Sequence, residues 1–325
     1  MSKGLGGPIA LVPRGLRGNP LFRKLGVPVY RTYARAVVFL PGPPIFVNSI
    51  PKAGTHLLTS LLDRFPKVMF SGEHRTLNQF KSNDLGNSTA EADWEQVRRW
   101  LQSQHNGQYS TGHFHAAENV FDALEEFHFA SLFVVRDPRD IVVSQAHYIA
   151  GLKRHFLYEY YTRVLRTPED RLMASIVGVP GSKGRPLLPS IGNHLASYMG
   201  WLHHSRVLVL KFEDLVGAAG GGDASSQRRA IDGIARYISR PLNDAQRRRV
   251  AAGVHAKGSA TLRRGVIGDW QNHFTDEHRA ALPRSPEGSW SSWVTRPTRL
   301  AECHQSVSCA GLGARGRMRS STRRC

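Results

Sequence analysis

The sequence has little cysteine. Its three, Cys303, Cys309 and Cys325, all lie in the final stretch. That argues against a disulfide scaffold and against a cysteine nucleophile in the core. The spacing of Cys303, His304 and Cys309 matches no established zinc pattern. Long apolar runs are missing too: no stretch approaches the roughly 18–20 residues of a membrane span. The short run Ile9 to Val12 is cut by Pro8 and Pro13, so no secretory leader is legible. An intracellular, cytoplasmic and soluble protein is the default expectation. Acidic residues are scarce, 25 against 44 basic ones, giving a net charge of +19. Such a balance calls for an anionic partner: a nucleotide, an acidic substrate, a membrane surface or nucleic acid. There is no internal repeat.

Much of the charge is terminal. Lys3, Arg14, Arg17, Arg23, Lys24, Arg31 and Arg35 precede the first apolar strand with no acidic residue among them. Residues 1–43 are rich in Gly and Pro as well, and read as a loosely ordered basic arm. Beyond residue 283 the chain turns to Ser, Arg, Gly and Trp without periodicity, which reads as a disordered basic tail, 283–325. The body between, 44–282, suits a single α/β domain in 325 residues that are 41% hydrophobic.

The body alternates strands and helices. Apolar runs at 45–49, 68–74, 109–115, 131–136 and 206–212 predict strands. Helical spacing predicts helices at 57–62, 94–102, 120–127, 227–238 and 243–252. Residues 151–200, aromatic, basic and interrupted by Pro and Gly, read as an insertion over the main sheet. The glycine run 220–222 has no strand leading into it and reads as a flexible connection. Alternating strands and helices predict a parallel, doubly wound sheet. Ligands of such sheets sit beyond the strands' carboxyl ends. Lys52, His113, Arg136 and Phe212 all fall at predicted strand ends.

Three stretches carry chemistry. In the first, the strand Ile45 to Ser49 runs into Ile50-Pro51-Lys52-Ala53-Gly54-Thr55-His56, then a helix with Leu57, Leu58, Leu61 and Leu62 on one side. A strand, a tight turn and a helix aim free N–H groups and a positive helix end at one point, which suits an anion. The plainer reading is an ordinary strand–turn–helix with a surface lysine. This is not a Walker A loop, which places its Lys after the second Gly and then a Ser or Thr that holds Mg²⁺: here Lys52 precedes Gly54, and the position after Thr55 is His56. In the second, Val134-Val135-Arg136-Asp137-Pro138-Arg139-Asp140 ends a strand and opens a helix. Asp137 suits the N-cap and Pro138 the first turn. Arg136, with Ser144 from the helix, can hold a dianionic phosphate; a salt-bridged helix start is the rival. In the third, Arg263-Arg264-Gly265 precedes Gly268-Asp269-Trp270. Two guanidinium forks and an open backbone N–H suit one phosphate, and nucleic acid is the rival ligand.

The pattern Pro-Lys-x-Gly-Thr-x-x-Leu over Pro51 to Leu58 resembles the 5′-phosphosulfate loop of sulfotransferases that use PAPS, 3′-phosphoadenosine-5′-phosphosulfate. Arg136 and Ser144 match that family's 3′-phosphate residues, and Arg263, Arg264, Gly265 with Gly-Asp-Trp match its late signature. The resemblance covers about residues 41–282 and is nearer to bacterial sulfotransferase-domain proteins than to animal steroid or phenol enzymes. It implies a P-loop-like α/β fold and in-line transfer of a sulfuryl group from PAPS to a hydroxyl or amine of a small molecule, lipid or glycan, with no metal and no membrane span. It also implies His113 as the base, with His115 as fallback, and Lys52 as the group that balances charge on the leaving oxygen. Lys52, Ala53, Gly54, Thr55 and His56 would hold the 5′-phosphate. Arg136, Ser144, Arg263, Arg264 and Gly265 would hold the 3′-phosphate. The match departs in places. Leu57 stands near the family's adenine-stacking tryptophan, with Phe212 in a slot that also faces adenine. His56 replaces a threonine, Thr111-Gly112 replace the usual lysine before the histidine, and Thr261 stands where an aromatic is usual. The alternatives are a nucleotide-dependent phosphotransferase, and a basic nucleotide- or nucleic-acid-binding protein without turnover.

Overall fold

The computed structural model describes residues 20–37, 40–80, 92–182, 186–254 and 265–283. Five strands form one parallel sheet: β1 (Ile45–Ser49), β2 (Met69–Thr76), β3 (Gln108–His113), β4 (Ala130–Val135) and β5 (Val207–Lys211). Their spatial order is β2-β3-β1-β4-β5. β1 and β4 are buried along their whole length. That is what continuous apolar runs become when helices cover both faces of a parallel sheet.

The helices are α1 (Pro20–Ala36), α2 (Thr55–Leu62), α3 (Trp94–Gln102), α4 (Glu118–Glu126), α5 (Pro138–Gly151), α6 (Pro168–Val177), α7 (Ile191–Ala196), α8 (Met199–His203), α9 (Phe212–Leu215), α10 (Ala224–Tyr237), α11 (Asp244–Ala251) and α12 (Asp276–Ala281). Two cores flank the sheet. One joins α3, α4 and α5 with Phe46, Phe114 and Trp201. The other joins α2, α10 and α11 with Val47, Leu132 and Leu210. The helices that follow the adjacent strands β1 and β4 therefore leave to opposite faces. That divergence opens a crevice at the strands' carboxyl ends, where such sheets bind ligands.

Two expectations give way. Within the expected loose arm 1–43, Pro20–Ala36 is a helix against edge strand β2. Ala34 is fully buried. The Tyr30 hydroxyl donates to the Phe70 carbonyl, and Arg31 Nε donates to Gly72 O at 3.0 Å. Gln108 Nε2 donates to Ala34 O at 2.7 Å. The strand supplies the contacts that composition alone does not reveal. The glycine run 220–222 is hydrogen-bonded rather than loose: Gly222 N donates to Gly217 O at 2.9 Å, and Gly220 O accepts from Ile267 N at 3.0 Å. A Cβ on Gly220 would lie 2.7 Å from Gly265 O, so the missing side chain lets the late loop dock. The expected tail lies outside the described residues beyond Pro283. Among the described residues no helix is long and apolar enough to cross a membrane.

Candidate active site

The loop after β1 is built for close approach. Lys52 has φ 74° and Gly54 φ 120°. A left-handed lysine is a conformation that a surrounding structure must impose, and such residues gather at functional sites. Ala53 N donates to Ile50 O at 3.0 Å, which closes the turn internally. Of the expected anion-binding amides, that of Ala53 is therefore occupied. Those of Gly54, Thr55 and His56 open α2, where a helix leaves N–H groups without internal partners. The loop is seated on the ring of Phe212: a Cβ on Gly54 would lie 2.8 Å from Phe212 Cδ2.

Lys52 Nζ lies 4.1 Å from the centre of the Tyr148 ring. Burial, with the nearby Arg136 charge, lowers its pKa to about 8. His56 is lowered to about 4, by burial and then by Lys52 and His74. It is a neutral ring at the helix start, not a fixed charge.

His113 ends β3, one strand from the loop. Its Nδ1 donates to Ser49 O at 2.8 Å, so Nε2 is the unprotonated nitrogen. Ser49 Oγ is also 3.4 Å from that Nδ1 and hydrogen-bonds Thr55 Oγ1, which ties the ring to the loop. Buried Asn48 fixes the strand's exit: Nδ2 donates to Phe114 O and Oδ1 accepts from Phe114 N, each at 2.9 Å. Trp201 Nε1 donates to the same carbonyl at 3.0 Å. Burial holds His113 down at about 3, so the ring is uncharged near neutrality. His115, the fallback base, is exposed. Its ring meets Tyr198 edge-on at 5.1 Å.

Arg136 follows β4, and its guanidinium lies 4.1 Å over the Phe212 ring. Phe212 itself is buried beneath the loop, 1% exposed. It therefore serves as a shelf for Gly54 and Arg136 rather than an open face for an adenine. Arg136 Nη2 donates to Val266 O at 3.0 Å, and Asp140 Oδ2 lies 3.6 Å away. Its Nε is buried without a hydrogen-bond partner. Gly265, at φ 65°, adjoins Val266 and so belongs to the same corner. Arg263 and Arg264, expected to complete it, lie outside the described residues, as does Thr261. Ser144 is half-buried on α5.

Asp137 caps α5 as expected, accepting from Arg139 N at 2.9 Å. The Arg139 guanidinium pairs with Asp137 and lies 3.9 Å over the Trp270 ring. Three residues that shape the site, Asp140, Glu213 and Tyr148, carry no binding role in the sequence reading. Asp140, fully buried, accepts from Gly268 N at 2.9 Å and Trp270 N at 3.0 Å, clamping the late loop onto α5. Glu213 Oε1 accepts from Asp137 N at 3.0 Å while Oε2 is buried without a partner. Burial raises Glu213 to about 7. Tyr148 faces Lys52. The available signal was spacing: Asp140 stands four residues after Arg136, one helical turn on. Among the described residues, no three His, Cys, Asp or Glu side chains converge as a metal would need.

No protein-family model matches the chain, and no curated protein matches it. Solved structures do resemble it. Mouse sulfotransferase SULT7A1, complexed with PAP, is 19% identical with a TM-score of 0.47, over 73% of this chain and 81% of that one. Retinol dehydratase, in complex with androsterone and inactive cofactor PAP, is 17% identical with a TM-score of 0.45, over 82% and 84%. The same protein with retinol and PAP gives equal values.

Proposed function

We propose that the chain is a PAPS-dependent sulfotransferase, with 44–282 as its catalytic body. The observation that carries the reading is the meeting, around one crevice, of the left-handed Lys52 loop, the Nε2 of His113 and the Arg136 corner. An anion loop, a base and a second anion corner make the minimum set for sulfuryl transfer from a nucleotide carrying two phosphates. The residues fit such a donor: Arg136 Nε is a buried donor without a partner, and Gly54 seats the loop on Phe212 with the amides of Gly54, Thr55 and His56 at the start of α2.

When bound, the donor supplies a sulfuryl group on a bridging oxygen. In the transfer, the sulfur–oxygen bond to the nucleotide breaks as one to the acceptor oxygen forms. The products are a sulfate ester and adenosine 3′,5′-bisphosphate. By analogy with phosphoryl transfer, positioning and charge stabilisation do most of the work. His113 Nε2 takes the acceptor's proton. Negative charge beside it raises its pKa from the free-state value, so the ring gains basicity when the crevice is filled. Lys52 neutralises charge on the leaving oxygen. The Gly54 to His56 amides hold the 5′-phosphate. Arg136, Ser144 and Gly265, with Arg263 and Arg264, hold the 3′-phosphate. The acceptor is a hydroxyl or amine of a small molecule, lipid or glycan.

The test is calorimetric titration with adenosine 3′,5′-bisphosphate beside adenosine 5′-phosphate, without magnesium, on wild type and Arg136→Ala. Tight binding of the bisphosphate alone, lost in the variant, is expected. Equal or negligible binding of both nucleotides, or a requirement for magnesium, refutes the reading.

A further inference from the structure

The mechanism leaves one titratable neighbour of the base unused, His74. It stands near the end of β2, beside β3. The pairing of these strands slips between Phe70 and His74: Phe70 faces Tyr109, yet His74 faces Thr111. Four residues of β2 thus span two of β3, with Gly72 at φ 81° inside the irregularity. Bulges re-aim side chains and recur beside active sites. Here His74 is turned onto His113, their rings meeting edge-on with centres 5.1 Å apart. His74 Nδ1 is 2.9 Å from Thr111 Oγ1, a bond that fixes its ring. Glu73 points elsewhere, to Arg75, Arg31 and Arg35.

Resting on the sulfotransferase reading above, we propose that His74 is a positioning residue of the transfer reaction. Its ring covers one side of His113, excludes water from it and holds it with Nδ1 on Ser49 O and Nε2 toward the crevice. Thr55, Ser49, His113, His74 and Thr111 then form one connected set from the anion loop to the sheet edge. The groups facing His113 are His74 from β2, His56 from α2 and His194 near α7's end. All three rings are themselves lowered to about 4, chiefly by burial. Near neutral pH they are uncharged, so cover rather than repulsion sets the state of His113. The Arg75 charge lowers His74 further.

The test is the titration of the His113 ring by NMR, in wild type, His74→Ala and His74→Phe, with adenosine 3′,5′-bisphosphate binding measured on the same samples. Wild type is expected to show no His113 inflection between about pH 5 and 8. His74→Ala admits water and brings the inflection into that window, a rise of about two units or more. His74→Phe keeps the cover without the titrating nitrogens and leaves His113 within about half a unit of wild type. An unmoved His113 in His74→Ala overturns the proposal. So does an equal rise in both variants, because the ring's bulk would then not be the cause. Loss of bisphosphate binding in wild type refutes the sulfotransferase reading and leaves the titration result to stand separately.

Discussion

Gly54→Ala is the sharpest probe of the anion loop, because two independent costs fall on one atom. The first is backbone strain. At φ 120° and ψ 25° Gly54 sits where L-residues rarely go. Holding alanine there costs on the order of 1–3 kcal/mol. The second is contact: the new methyl would lie 2.8 Å from Phe212 Cδ2 and 3.6 Å from Val134 Cγ1. Phe212 is itself pinned under Arg136, so it has little room to yield, and overpacking of this kind costs about 1–3 kcal/mol. The sum, about 2–6 kcal/mol, is a large share of the roughly 5–15 kcal/mol that holds a domain folded.

Urea denaturation separates the two parts. With a slope of about 2–3 kcal/mol per molar, Gly54→Ala should lower the midpoint by about 1 M or more. Phe212→Val removes the offending Cδ2 but not the strain. The double variant should therefore be more stable than the two single losses predict, by about 1–3 kcal/mol. A loss below about 1 kcal/mol in Gly54→Ala would mean that the loop is not held in this conformation. Strict additivity with Phe212→Val would mean that the ring is not its seat.

Three further outcomes follow from single groups. Lys52, lowered to about 8, is charged below that value and neutral above it; in the free protein, bisphosphate affinity and transfer rate should fall as pH rises through about 8, and Lys52→Arg should carry the fall upward, measured as kcat/KM against pH. Asp140→Asn retains one acceptor where two backbone N–H groups need it, and should cost about 1–3 kcal/mol while speeding hydrogen exchange at Gly268 and Trp270; unchanged exchange there would refute the clamp. Glu213, raised to about 7, binds a proton in the folded state that the unfolded chain releases at lower pH; its stabilising effect is present below its unfolded pKa and is lost as pH rises through about 7, so Glu213→Gln should become the more stable protein between pH 5 and 8, judged by urea midpoints.

What was legible in the sequence is what local physics decides. The run 131–136 reads as a buried strand and Asp137-Pro138 as a helix start, because cap and first turn lie within three residues. The strand at 45–49 and the turn at Lys52 to Gly54 were legible for the same reason. Contacts that close over long separations left no such mark. Asp140 meets Gly268 and Trp270 128 and 130 residues on. The helix Pro20–Ala36 owes its place to Phe70, Gly72 and Gln108, so its composition read as a loose arm. The slip of β2 that turns His74 onto His113 depends on where a neighbouring strand lies, which no run of residues states.

Arg136 is where the two kinds of information meet, and its surroundings bear on the choice of ligand. Its position at a strand end was readable; its environment was not. One face stacks on Phe212, Nη2 is spent on Val266 O, and Asp140 lies within ion-pair range. Asp137 and Glu213 add negative charge nearby, and burial still lowers its pKa on balance. A guanidinium so surrounded is held in place before any ligand arrives, which reduces the ordering cost of binding. It also keeps one buried donor, Nε, unsatisfied, a costly condition that an incoming acceptor relieves. Asp137 is already engaged by Arg139 and Asp140 by the Gly268 and Trp270 N–H groups, and Glu213 is raised to about 7. A phosphate monoester brings several acceptor oxygens to a donor such as Nε, and charge-assisted bonds of this kind are the stronger ones. On the proposed sulfotransferase reading, a preference for a nucleotide with a free 3′-phosphate over its 5′-monophosphate should reside in Arg136 and the late loop that Asp140 holds against it. Asp140→Asn, by loosening the loop, should blunt that preference rather than abolish all binding.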